Sequence, residues 1–226
     1  GTVGAVTGGT LQMGDASTPA AQTIQINASV PIYNLVVSNG VAVTAQLATN
    51  SLTVKNNVTI NSGILNANAL NITLAGNWTN SGTFTASTGT VTFNGTVAQQ
   101  IIGASTTTFN NLTIANTSVT GVTLIAPSAI SGILTLSDGY FYTDNINLLT
   151  MNAGSSVGAV SNNSFVYGPV AKIGSTNFTF PVGKDVEYRP IAVTSLSGSE
   201  TFTAEYFHSD PNLVPYDVTS KDVALD

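Results

Sequence analysis

Between Leu70 and Asn116 the chain is cut into short runs of Thr, Val, Ile, Leu and Phe by Ser-Gly, Thr-Gly and Asn-Gly steps. Within the runs, larger apolar and small polar side chains alternate, as in Thr83-Phe84-Thr85, Thr90-Val91-Thr92-Phe93 and Leu112-Thr113-Ile114. Period-two alternation with β-branched residues specifies strands that bury one face. The glycines at the ends of these runs mark sharp turns or close backbone approach. No segment has helical spacing with a cap.

The pattern recurs. Ile32-Tyr33-Asn34-Leu35-Val36-Val37-Ser38-Asn39 matches Phe109-Asn110-Asn111-Leu112-Thr113-Ile114-Ala115-Asn116, with Leu35 on Leu112. Gly63-Ile64-Leu65 matches Gly139-Tyr140-Phe141, and Leu70-Asn71-Ile72 matches Ile146-Asn147-Leu148. A unit of about 77 residues is thus present about twice in residues 1–153. Short strands in tandem copies predict a solenoid, in which each coil covers the apolar face of the next. The expected form is a right-handed parallel β-helix with coils of about 20–25 residues. An antiparallel β-sandwich built of hairpins is the rival. Inward positions of the helix are Leu35, Val37, Leu52, Val54, Val58, Ile60, Leu65, Leu70, Ile72, Leu74, Phe84, Val91, Phe93, Ile101, Leu112, Ile114, Leu134, Leu136, Phe141 and Leu148. Outward Thr, Asn and Ser would stack as ladders along the axis.

Charge divides the chain. Residues 1–171 carry only Asp15, Lys55, Asp138 and Asp144, whereas Lys172 opens a segment with the other charged residues and the single His208. The boundary falls near residues 171–185. It separates a solenoid, residues 1–175, from residues 176–226, the start of a β-sandwich-like segment cut off from a further domain. Phe178 to Lys184 reads as a strand and turn. Tyr188–Val193 and Thr201–Phe207 read as a pair of antiparallel strands around a Ser-Gly-Ser turn.

Composition excludes several functions. Only 7% of residues are charged, against about 25% in an ordinary globular chain. Abundant Ile, Val and Leu rule out disorder, and no apolar run reaches the roughly 18 residues of a membrane-spanning helix. With five Lys and Arg and a net charge of −6, no basic patch for nucleic acid forms. With no cysteine, disulfides, thiolate metal sites and a Cys nucleophile are absent.

The stretches GNWTNSGTFTASTGTVTFNGT, QQIIGASTTTFNNLTIAN, SFVYGPVAKIGSTNFTFPVGKDVEYRPIAV and FTAEYF resemble the repeat region of large adhesin-like surface proteins exported by the type IX secretion system of gliding and related bacteria. The likeness covers nearly the whole chain. It implies an extracellular or cell-surface location. It also implies a stalk or adhesive role, with other copies or domains of the same protein and the secretion machinery as partners. It transfers no catalytic residue, and no cofactor is expected.

Few residues suggest chemistry. His208-Ser209-Asp210 are adjacent and point apart, which is not a catalytic triad. Asp138 and Asp144 offer a carboxylate pair or a loose calcium site, though calcium takes six to eight oxygens. Asp185, Glu187 and Arg189 would share one strand face. Trp78 is expected in the core. Thr-x-Thr runs suggest an ice-binding ladder only weakly, because Asn and Ser interrupt them. Asn-x-Ser/Thr triplets such as Asn57-Val58-Thr59 follow from composition. Tyr140 and Tyr142 flank the inward Phe141, so both face outward and could stack on a sugar ring. The sequence therefore supports a structural, adhesive stalk without catalysis or metal. A carbohydrate-binding module using Tyr140 and Tyr142 is the alternative, and a divergent polysaccharide-active enzyme the third reading.

Overall fold

A computed structural model describes residues 6–38 and 42–208. These residues contain strands and turns but no helix, and they wind into a β-solenoid of about eight coils.

The first coil carries β1 (Thr10–Met13) and β2 (Thr23–Ile26). The second carries β3 (Asn34–Val37), β4 (Thr44–Leu47) and β5 (Leu52–Val54). The third adds β6 (Val58–Ile60), β7 (Ile64–Asn66) and β8 (Ile72–Leu74). The fourth adds β9 (Trp78–Asn80), β10 (Thr83–Thr85) and β11 (Thr90–Phe93). The fifth comprises β12 (Gln99–Ile102), β13 (Thr107–Phe109) and β14 (Asn111–Ala115). The sixth comprises β15 (Val122–Leu124), β16 (Ser128–Ile130) and β17 (Ile133–Asp138). The seventh holds β18 (Phe141–Tyr142), β19 (Leu149–Met151) and β20 (Ser156–Val157). The eighth holds β21 (Val166–Tyr167), β22 (Val170–Gly174) and β23 (Phe178–Phe180). Four short strands follow: β24 (Gly183–Lys184), β25 (Glu187–Tyr188), β26 (Ile191–Val193) and β27 (Glu200–Ala204).

The coils present three sides. The first is one eight-stranded sheet, β1-β3-β6-β9-β12-β15-β18-β21. The second is β2-β4-β7-β10 followed by β13-β16-β19-β22, and the third is β5-β8-β11-β14-β17-β20. All pairings within these sides are parallel, so each strand binds the next coil rather than turning back on its neighbour. The hairpin sandwich is thereby set aside.

Alternation explains the choice. In β3, Leu35 and Val37 are buried and Asn34 and Val36 are not, and the same beat runs through β4, β5, β6 and β8. A closed coil turns each buried set toward one interior, where neighbouring coils cover it above and below. Two of the expected inward residues are only half-buried. Leu70 sits in the turn that its amide closes onto the Ala67 carbonyl at 2.8 Å, before the chain extends. Leu148 yields to Leu149, which is fully buried, because the Asp144 loop delays the strand by one residue.

The 77-residue similarity is not a repeat of coils. Leu35 lies in β3 on the first side and Leu112 in β14 on the third; Leu65 and Phe141 fall on the second and first. The alignment advances three coils and two further sides. It finds strands alike because every side makes the same demand, apolar in and polar out.

Asparagines stitch the corners. Asn34 Oδ1 accepts the Asn57 amide at 3.2 Å, Asn57 Oδ1 accepts the Asn77 amide at 2.8 Å, and Asn77 Oδ1 accepts the Gln100 amide at 2.9 Å. On the third side, Asn71 Oδ1 accepts the Thr90 amide and Asn111 Oδ1 the Ile133 amide, both at 2.9 Å. Each side chain replaces a coil-to-coil backbone bond where the chain bends. The third side also carries an in-register file of Thr53, Thr73, Thr92, Thr113 and Thr135. Its members lie 19–22 residues apart along the chain, one per coil. At Gly103, with φ +138°, a Cβ would strike the Asn80 carbonyl of the coil below, so the corner demands glycine.

The second side breaks between β10 and β13. There Trp78 is fully buried, 4.8 Å from Phe84 and 5.6 Å from Phe109 between ring centres. Thr107 Oγ1 accepts both Trp78 Nε1 and Asn80 Nδ2. Aromatic packing thus spans the gap in the ladder.

The stack closes differently at its two ends. After the eighth coil, β27 pairs antiparallel with β22, β26 with β23, and β24 with β25. The strands expected to pair with each other, β26 and β27, instead each cap a different strand of the last coil. Phe178, Phe180 and Val182 join the same apolar cluster as the solenoid, so the core runs across residues 171–185. Lys172, the first of the late charges, points inward below Met151 and is 3% exposed. Its ammonium donates to the Asn152 carbonyl at 2.6 Å and to Ser155 O and Oγ at 2.9 Å, with the Phe178 ring 4.9 Å away. Burial pushes its pKa down. Among the described residues no other donor reaches Ser155 O, whereas Asn152 O also receives Ser155. Lys172→Met should therefore orphan one carbonyl and cost about 1.5 kcal/mol, read by urea denaturation.

Candidate functional site

The outward file that begins Asn34, Asn57, Asn77, Gln100 continues through Thr123 into Tyr142 and Tyr167. Sheet register alone brings these residues into line up the first side. Phe141 turns inward and is fully buried, and Tyr140 and Tyr142 face outward, half-buried. The structure therefore brings the two expected tyrosines together, with ring centres 6.2 Å apart and planes at 89°. Tyr167 joins them, 5.1 Å from Tyr142 and 6.2 Å from Tyr140. Tyr140 also packs 4.6 Å from the buried Phe165. Much of the ring area is thus spent on neighbouring rings, and the Tyr140 hydroxyl donates to the Asn162 carbonyl at 3.4 Å. Burial, then the neighbouring Tyr140 and Tyr167, holds the Tyr142 hydroxyl pKa above its ordinary value.

Polar groups rim this cluster. Lys184 Nζ lies 4.7 Å over the Tyr167 ring, a cation–π contact. Asp185 sits in the β24–β25 turn with φ +56°, outside either strand. Its Oδ1 accepts the Tyr167 hydroxyl at 3.4 Å, and its Oδ2 accepts His208 Nδ1 at 2.7 Å. Glu187 and Arg189 form an ion pair beside it. The common strand face expected for Asp185, Glu187 and Arg189 is therefore replaced by a turn and a short strand, because Asp185 adopts the left-handed conformation of a hairpin turn.

The hydrogen bond from His208, the largest influence, holds the Asp185 carboxyl below the usual carboxylate range of 3.8. A depressed carboxylate stabilises the fold above its unfolded value. That contribution disappears as pH falls through the folded value. His208→Ala should raise the Asp185 pKa toward 3.8, read by carbonyl-carbon NMR titration.

Other candidates do not assemble. Asp144 spends Oδ1 on the Ile146 and Asn147 amides and Oδ2 on Asn147 Nδ2, which caps its own loop. Asp138 ends β17 on the third side. Among the described residues no three His, Asp or Glu side chains cluster as a metal site. Ser209 and Asp210 lie outside the described residues. The His208–Asp185 pair is 63% and 57% exposed, without the dry surroundings that make an acid–base pair effective. Trp78 is interior, as its pattern implies.

Sequence reasoning missed Tyr167, Lys184 and the Asp185–His208 contact. A signal for Tyr167 existed: Phe165-Val166-Tyr167 repeats the beat of Tyr140-Phe141-Tyr142, and the two segments pair. The chain matches no protein-family model, no curated protein and no solved structure.

Proposed function

We propose that this chain is a structural, adhesive spacer, a stiff stalk segment of a secreted bacterial cell-surface protein, and not a catalyst. One observation carries the reading. A single apolar interior runs through every coil and into the closing strands, while the corners are stitched by side-chain hydrogen bonds. Among the described residues no buried side-chain nitrogen or oxygen lacks a partner. Such a stack resists bending because every coil is fixed to both neighbours. At the ordinary strand spacing, eight coils hold two points apart by on the order of 35–40 Å. The likeness of FTFPVGK and FTAEYF to type IX surface proteins supports an extracellular setting, with the secretion machinery and other copies or domains of the same protein as partners.

The test is a surface-displayed fusion with this chain between anchor and adhesive head. Replacing it by a Gly-Ser linker of equal residue number should weaken adhesion under flow. Equal adhesion, or turnover of any polysaccharide by the purified chain, sinks the reading.

The tyrosine cluster favours a second reading, a carbohydrate-binding module. It expects glycan-array binding that disappears in Tyr140→Ala/Tyr142→Ala.

A further inference from the structure

We propose that Asn94 is a self-modification site of this chain: the Gly95 nitrogen closes onto its side chain and converts it to aspartate and isoaspartate, and Gln99 holds that reaction off while the coil is shut. The inference does not require the spacer reading.

The step is Asn-Gly, the pairing in which the following nitrogen is least shielded, because glycine brings no side chain to it. The chain has two such steps, Asn39–Gly40 and Asn94–Gly95, and the first lies outside the described residues. At the second, the fold insists on the glycine. Residue 95 is buried at the corner after β11, where a Cβ would lie 2.7 Å from the Ala75 carbonyl oxygen and 2.8 Å from the Gln99 side chain. The coil below therefore imposes the residue that makes the step reactive.

Asn94 supplies the electrophile. It is exposed, and among the described residues its side chain has no hydrogen-bond partner, unlike Asn57 and Asn77, which accept corner amides. What is held is the nucleophile. The Gly95 amide donates to Gln99 Oε1 at 2.8 Å, a buried bond. The flanking peptide groups are pinned as well. The Asn94 amide donates to the Leu74 carbonyl of the coil below at 3.0 Å, and the Gly95 carbonyl accepts the Thr117 amide of the next corner at 3.0 Å. Gln99 is itself fixed by Gly76, Leu74 and Asn116. While these bonds stand, the Gly95 nitrogen keeps its proton and cannot swing onto the Asn94 side chain.

The chemistry balances with water alone. Once the corner opens, hydroxide removes the Gly95 amide proton and the nitrogen attacks Asn94 Cγ. The new C–N bond closes a cyclic imide as the Cγ–Nδ2 bond breaks and ammonia leaves. Water then opens either imide carbonyl, giving aspartate or isoaspartate and one added negative charge. Isoaspartate routes the backbone through the side-chain methylene, so the Asn94 and Gly95 bonds to the coils below and above cannot both re-form. Each opening that reacts is therefore made permanent. The rate is set by the population of the open form.

The test uses the whole 226-residue chain. It is incubated folded in mildly alkaline buffer, digested, and read by mass spectrometry with the aspartate and isoaspartate peptides separated. In urea, with the coils unfolded, Asn94 should convert readily. In the folded chain it should convert about a hundredfold more slowly, and exchange of the Gly95 amide hydrogen should be slowed in step. Gln99→Leu is compared with unaltered chain brought to the same stability by urea. The variant should convert Asn94 about tenfold faster, the gain in opening expected when one buried hydrogen bond is lost. Asn39–Gly40 should convert equally in those two samples. Four outcomes each overturn the proposal: folded and unfolded chains converting alike at Asn94, a Gly95 amide that exchanges as in an unfolded peptide, equal Asn94 rates in Gln99→Leu and its matched control, or a parallel rise at Asn39–Gly40. The first two readouts need only the unaltered chain and decide the matter if Gln99→Leu does not fold.

Discussion

Trp78→Ala is expected to cost about 4 kcal/mol of stability, the middle of the range for emptying a packed aromatic site. The residue is fully buried and edge-on to Phe84 at 4.8 Å, with Phe109 at 5.6 Å. Those rings sit where hydrogen bonding between β10 and β13 lapses. The cavity would open at the one place on the second side where backbone bonds cannot compensate. Thr107 Oγ1 would still accept Asn80 Nδ2, so no polar group is stranded and the loss is one of packing. Trp78→Phe keeps most of the volume and should recover more than half of it. Chemical denaturation checks both. A Trp78→Ala loss below about 1 kcal/mol would mean that the site collapses around the missing ring.

Gln99→Leu is the second large effect, at about 3 kcal/mol, despite nearly equal volume. Gln99 is fully buried in the first side. Its Nε2 donates to Gly76 O at 2.6 Å and Leu74 O at 3.2 Å; its Oε1 accepts the Gly95 amide at 2.8 Å and Asn116 Nδ2 at 2.9 Å. Leucine would not orphan all four. Leu74 O keeps the Asn94 amide, and Asn116 keeps Val97 O. The Gly95 amide and Gly76 O lose the partners seen here, and each stranded buried group costs about 1–3 kcal/mol. Thermal or urea unfolding reads the result. Gln99→Glu, whose neutral carboxyl can still donate one hydrogen bond toward Gly76 O, should lose stability with rising pH as that carboxyl ionises in the core and the donor is lost.

Most of the interior was legible because one rule, alternation, places it. A strand of three residues with Ile, Thr and Leu has one way to sit against an apolar core. Legibility fails where the chain bends. The one-residue error at Leu148 comes from a loop cap on Asp144, which counts residues differently from a strand. Lys172 looks like the start of a charged surface, yet the Asn152–Ser155 turn places carbonyls around it inside the coil. The Tyr142–Tyr167 pairing depends on a coil whose length alternation does not set. Asp185 and His208 meet only because β27 folds back onto β22, a long-range pairing with no local mark. The five-threonine file was obscured because its members lie 19–22 residues apart, with other Thr, Asn and Ser between them.

The direction of the ladder bonds has a mechanical consequence. They run along the rod, so tension applied between its ends loads them in opening mode, one row at a time, rather than in shear. Coils would peel successively, each releasing a length of thread set by its corners before the next row takes the load. A stack loaded in this way gives up its length in instalments rather than all at once.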